Sequence, residues 1–155
     1  MGIGYIDSIV LYNRYENEGL GKIYYIGTRF DNARIELTQG ANIRTSGLES
    51  ADSCIVKIPN DSSLPKPYVA PVQWKKLSDE EIQGTFTLDK GDKSFFAICK
   101  KKELGIDRAL PEGLIDSETY EEGFFEYMSN EYGYSYMLNT VDVYSLIPRF
   151  EIGGN

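Results

Sequence analysis

Tyrosine occupies positions 132, 134 and 136, and Val141 and Val143 resume a two-residue rhythm on either side of Asp142. Extended chain sends successive side chains to opposite faces, so such residues share one side of a strand. Tyr134, Tyr136 and Val141 are therefore expected on a core or sheet face. The run then meets Pro148, a short apolar stretch at Phe150 and Ile152, and Gly153-Gly154 before Asn155. A chain with this ending is committed to sheet.

The rest of the sequence reads the same way. Residues 3–15 form an opening strand whose apolar residues do not alternate cleanly, which predicts covering on both faces or a bulge. After a turn at Glu16–Gly19, Lys22–Phe30 reads as a second strand with Ile23, Tyr25 and Gly27 on one face. Asp31-Asn32 is a short connection to a half-exposed strand at Arg34–Thr38. Residues 41–45 either continue that strand or belong to a loop around Ser46-Gly47, and Cys54–Ile58 is a further strand. Four prolines from Pro59 to Pro71 exclude a central strand or helix and predict a long surface loop. Trp74, the single tryptophan, follows as the side chain expected to pin that loop to the core.

Ser78 and Glu81 have capping-box spacing for about one helical turn, which Gly84 stops. Thr85–Leu88, the turn Asp89-Lys90-Gly91-Asp92 and Ser94–Cys99 read as a hairpin. Lys100-Lys101-Lys102 reads as a solvated strand end. Residues 103–131 are strongly acidic, with Arg108 as their sole cation. Ser117 is placed there as the cap of a helix whose apolar side carries Phe124, Phe125, Tyr127 and Met128, weakened by Gly123. The expected fold is a single mainly β domain over residues 1–155. It is a small β-barrel or sandwich with one or two short helices, a Pro-rich loop at 59–71 and an acidic loop or helix insertion at 103–131.

Composition removes whole classes of chemistry. With no histidine, the chain lacks the commonest general base and metal ligand. Its two cysteines, Cys54 and Cys99, stand far apart in apolar runs, so they are expected as buried reduced thiols, with no metal site or cofactor. No P-loop, GxSxG or GxGxxG motif is present. Asp89–Asp92 lacks the remaining ligands of a calcium loop and reads as a turn. Glu118, Glu122 and Glu126 stand at i,i+4 spacing, where a carboxylate-based glycoside hydrolase is the distant reading and a charged helix face the better one. A net charge of −8 argues against a nucleic-acid clamp, which needs a basic stripe. No apolar run approaches the length of a membrane span, and none reads as a signal peptide, so no membrane role and a cytosolic site of synthesis are expected. What remains is a domain that binds or assembles.

The order of three segments carries a resemblance. Ile9-Val10-Leu11-Tyr12-Asn13-Arg14 near the start, Leu88-Asp89-Lys90-Gly91-Asp92 in the middle and Phe150-Glu151-Ile152-Gly153-Gly154 at the end together span nearly the whole chain. In this order the chain resembles a family of small minor capsid proteins encoded in the head-to-tail morphogenesis cluster of phages and prophages of Gram-positive bacteria. The acidic stretch 103–131 is longer here than that pattern suggests. The resemblance implies a head-completion connector: a β-barrel-like subunit, made in the host cytoplasm, that forms a homo-oligomeric ring in the virion neck. Its partners would be neighbouring portal or adaptor and tail-terminator or tail-tube proteins, with DNA passing nearby without specific binding. Tyr68, Trp74, Phe124, Phe125, Tyr127, Arg149, Phe150, Ile152 and Asn155 are the candidate contact residues, with 150–155 as the favoured contact surface. Two other classes stay open, a soluble β-barrel binding module and an acidic inhibitor that mimics nucleic acid.

Overall fold

The computed structural model describes residues 5–17, 19–38 and 53–155. Eight strands are present among them: β1 (Asp7–Asn17), β2 (Lys22–Thr38), β3 (Ser53–Pro59), β4 (Phe95–Lys101), β5 (Ile106–Asp107), β6 (Gly113–Asp116), β7 (Ser135–Tyr144) and β8 (Arg149–Gly154). Three short helices accompany them: α1 (Pro71–Trp74), α2 (Asp79–Gln83) and α3 (Phe124–Glu131). The expected continuation at 41–45 and the first residues of the opening strand lie outside the described residues.

Six strands close on themselves. β1 pairs β2, β2 pairs β3, β3 pairs β8, β8 pairs β7, β7 pairs β4, and β4 returns to β1, every pairing antiparallel. Closure removes the open edges that make sheets stick to one another. β5 extends the ladder from β4, and β6 adds to the outer part of β2. The fold is thus a small mainly β barrel with a few short helices, as the alternating runs imply.

A barrel of this size leaves room only for side chains. Ile9, Leu11, Phe30, Ile35, Val56, Phe96, Ile98, Leu138, Phe150 and Ile152 fill the interior. A second cluster lies outside the wall, where Val10, Tyr12, Phe95 and Ala97 are covered by Leu110, Phe124 and Met128. β1 is therefore buried on both faces and also carries a register shift between Asp7 and Ile9, which explains its uneven alternation. Trp74 forms a third cluster with Ile26 and Ile82 and is 3% exposed, so it pins the end of the Pro-rich loop to the outer wall as expected. The Ser78 capping box is present: Ser78 Oγ accepts from the Glu81 amide at 3.3 Å, and Glu81 Oε1 accepts from the Ser78 amide at 3.0 Å.

Several local expectations are corrected. Asp31-Asn32 is no connection, because β2 runs unbroken through it for 17 residues, pairing β1 and β6 with its first part and β3 with its last. The 85–99 hairpin does not form. Both edges of β4 are already occupied by β1 and β7, and Thr85–Leu88 instead crosses one end of the barrel. There Asn13 Nδ2 donates to Thr87 O at 2.8 Å and Thr87 N donates to Asn13 Oδ1 at 3.2 Å. Phe86 forms an isolated parallel bridge with Tyr68, which ties the Pro-rich loop to that crossing.

Lys101 is not a solvated strand end either. Its Nζ lies 3.5 Å from the Asp7 carboxylate and donates to Ile35 O at 2.9 Å, with its side chain 13% exposed. The acidic insertion also differs in its helix. Ser117 opens a single 3-10 turn (Ser117–Thr119), while α3 begins at Phe124, whose amide donates to Ser117 Oγ at 3.1 Å. Gly123, at φ 92°, is where the helix has to be re-entered.

The tyrosine stripe breaks in two places. Gly133 and Tyr134 both take positive φ, 70° and 50°, so the chain turns sharply there and Tyr134 emerges 42% exposed. That left-handed turn is held by Arg108, which donates to Ile98 O, Tyr132 O and Gly133 O at 2.6–3.1 Å. Within β7 a register shift between Leu138 and Thr140 moves the inward side from even to odd positions. Tyr136 and Leu138 point into the interior cluster before it, and Val141 packs against that cluster after it.

Candidate interaction surface

β7 pairs β4 only from Ser135 to Met137, then continues to Tyr144 in partnership with β8. The β7–β8 hairpin thus runs well past the upper end of β4. Its turn, residues 145–148, reads Ser-Leu-Ile-Pro, where turn chemistry usually places polar residues and glycine. Leu146 is 98% exposed and Ile147 71%, with Val143 and Tyr144 also open to solvent. The Arg149 guanidinium lies over the Tyr144 ring at 4.6 Å from its centroid and 3.7 Å from Glu151. At the hairpin base, Pro148 O accepts from Asn60 N at 3.0 Å, fixing the tip relative to the barrel. These exposed apolar residues on a well-braced hairpin form the candidate interaction surface.

Two concave features lie elsewhere. A groove of about 310 Å³ follows the outer side of α3 and is lined by Tyr120, Glu121, Glu122, Tyr127, Asn130 and Glu131. The Tyr120 and Tyr127 rings sit 4.5 Å apart. Partial desolvation, and then Tyr132 and Glu131 nearby, raise the Tyr127 phenol above its ordinary pKa. A second cleft, of about 370 Å³, is lined by Arg14, Tyr15, Glu16, Trp74, Lys75, Ile82 and Asp92. Burial raises the Asp92 carboxyl there, despite hydrogen bonding to Ser94.

The expected contact residues are dispersed. Phe150 and Ile152 are 0% and 1% exposed, because β8 is an internal barrel strand between β3 and β7. The proposed terminal contact surface is therefore corrected to core, with Asn155 alone exposed and its backbone paired to Met137. Phe124, 0% exposed, is also core, wedged against Tyr12 and Tyr25. Trp74 is buried as described. Tyr68 is half-buried against Phe86 and Phe150 at 5.5 and 4.8 Å, while Phe125, Tyr127 and Arg149 are half-exposed. Of these, Arg149 lies on the hairpin tip, Tyr127 lines the groove along α3 and Trp74 lines the second cleft. The residues missed are Leu146 and Ile147, whose signal was two aliphatics in a turn.

The remaining chemistry is sparse. Glu118, Glu122 and Glu126 fall on a 3-10 turn, a loop and α3, so they do not share the one helix face their spacing suggested. Cys54 and Cys99 are free and buried, and desolvation pushes the Cys54 thiol up to about 12. Among the described residues no group of three acidic or cysteine side chains is placed to hold a metal, and no helix is long and apolar enough to cross a membrane.

No curated protein and no solved structure matches the chain. A protein-family profile matches residues 5–154, nearly its full length, and the chain belongs to that family, a family of unknown function (DUF6751).

Proposed function

We propose that this protein is a structural assembly subunit, a head-completion connector that joins a phage head to its tail as part of a homo-oligomeric ring. The observation that carries the reading is the projecting hairpin with Leu146 almost fully exposed. Burying two aliphatic side chains of this size contributes roughly 3–6 kcal/mol per contact, enough to anchor a subunit interface. The closed six-strand barrel supplies a rigid mount and leaves free edge only at the short β5 and β6 and along the upper part of β7, which suits a subunit that must join neighbours at chosen points. Its interior is filled, so a channel for DNA would lie at the ring axis between subunits. A net charge of −8 disfavours adhesion of passing DNA. Portal, adaptor or tail proteins would meet the faces of the ring.

Electron micrographs of the purified protein at high concentration test this. Closed rings of uniform diameter are expected; a field of monomers at every concentration refutes the reading.

A second reading, a small-molecule binding module, is favoured by the cleft beside Trp74, where the indole Nε1 is buried without a hydrogen-bond partner. Because Trp74 is the sole tryptophan, its fluorescence reports directly on occupancy of that cleft. On the assembly reading, emission stays unchanged across a panel of small anions.

A further inference from the structure

We infer that the cleft beside Trp74 is a binding site for a small zwitterion, an amino acid with free ammonium and carboxylate groups on a compact apolar body. The inference rests on the binding-module reading of that cleft and is independent of the assembly reading.

The cleft is built from four segments. β1 supplies Arg14 and Glu16, α1 supplies Trp74, α2 supplies Ile82, and the turn before β4 supplies Asp92. Buried Ser94 ties two of these segments together. Its hydroxyl accepts from the Arg14 amide at 3.0 Å, and its own amide donates to Asp92 Oδ1 at 3.0 Å. Arg14 and Asp92 thus belong to one braced frame, around a volume of about 370 Å³ that suits a small ligand.

Three polar groups of this frame lack a partner among the described residues. Trp74 is 3% exposed, yet its Nε1–H has no acceptor. A buried donor left unpaired is rare and costly, so an acceptor carried in by a ligand is favoured there. Lys75 is neutralised by Asp89 at 3.3 Å, whereas no described carboxylate lies within ion-pair distance of Arg14. Asp92 accepts from Ser94 but has no described cation within that distance, and burial raises its carboxyl. Arg14 and the indole therefore call for an anionic acceptor, and Asp92, with Glu16 beside it in the lining, calls for a cationic donor.

Charge excludes the simpler ligands. A bare anion would meet Asp92 and Glu16, and a bare amine would meet Arg14 and Lys75. One molecule carrying both charges answers both sides, with no net charge to bury. Ile82 and the Trp74 ring give the cleft an apolar side, against which a short aliphatic chain packs.

Titration with leucine, read by the fluorescence of the sole tryptophan and by calorimetry, tests this. A saturable change in emission is expected. Leucine methyl ester lacks the carboxylate and N-acetylleucine lacks the ammonium, so each should bind at least about tenfold more weakly. Acetate and butylamine, which carry one charge each, should leave the emission unchanged. Arg14→Gln and Asp92→Asn should each weaken leucine to a similar degree, with circular dichroism showing that both variants are folded. Leucine binding that is unchanged in both variants overturns the inference. If any of the other four probes binds as tightly as leucine, the zwitterion assignment falls and the binding-module reading stands. If none of the five changes the emission or gives heat, both fall, and the assembly reading is untouched.

Discussion

Replacing Phe150 with alanine separates the role of β8 as a barrel strand from a role as a contact surface. The ring is 0% exposed and packs against Tyr68 and Phe86, with centroids 4.8 and 5.7 Å away. Its backbone is flanked on both sides, by Ile58 of β3 and Val143 of β7, so the strand cannot move to fill the space. Truncating a buried phenylalanine costs about 3–5 kcal/mol through lost transfer energy and the cavity left behind. Since a domain has about 5–15 kcal/mol in total, that is a large share of its stability. For a chain of this length each kcal/mol moves the melting temperature by about 2–4 °C, giving a drop of roughly 6–20 °C. Urea unfolding followed by circular dichroism measures the free energy, and a thermal scan checks it. A loss below about 1 kcal/mol would show that β8 does not close the barrel. By the same reasoning, deleting 149–155 should abolish folding, because two neighbouring strands would lose their partner.

Four further outcomes are expected. A Cβ at Gly154 would lie 2.6 Å from Met137 O and 2.9 Å from Tyr136 Cβ, so Gly154→Ala should cost about 1–3 kcal/mol in urea unfolding. Gly84→Ala, where the added carbon meets nothing nearer than 3.8 Å, serves as the tolerated control. Lys101→Ala leaves the Asp7 carboxylate buried without its cation and should destabilise by about 3–5 kcal/mol, much of it recovered by Asp7→Asn in the same chain. Burial raises the Asp92 carboxyl, so its ionisation opposes folding: the stability it contributes is present in acid and lost as pH rises through its folded pKa. Asp92→Asn should therefore be more stable than wild type at neutral pH, with the gain vanishing below the ordinary aspartate range, as paired urea titrations would show. Finally, a disulfide reagent at pH 8 should find neither cysteine in the native protein and both after unfolding, since both thiols are buried and Cys54 is pushed up to about 12.

The barrel was legible because alternation in β3, β8 and parts of β2 and β7, and the continuous apolar runs of β1 and β4, are local signals, and local signals survive in sequence. Pairing is not local. The Asp89–Asp92 turn has the chemistry of a hairpin, yet β4 was already flanked by β1 and β7, and nothing in residues 85–99 records that competition. The same holds for Asp31-Asn32, two turn-forming residues carried inside a long strand by its neighbours. Phe150 and Ile152 read equally well as core or as contact, and only their place between β3 and β7 decides. The Ser78 cap was legible because it depends on Glu81, three residues on, and the Trp74 plug because a lone large aromatic beside a Pro-rich loop has to be buried somewhere, although its partner Ile26 is distant in sequence. Leu146 and Ile147 were legible in principle, as aliphatics in a turn, but sequence does not record whether other parts of the fold cover a turn.

Sedimentation velocity of the wild-type protein beside a Leu146→Asp, Ile147→Asp variant, over a concentration series, tests the assembly claim most directly. Both substituted side chains are exposed, so the variant should keep its fold and its melting temperature. The wild type is expected to move from monomer to one discrete larger species as concentration rises, and the variant to remain monomeric throughout. A wild type that stays monomeric, or a variant that assembles as readily, would contradict the account.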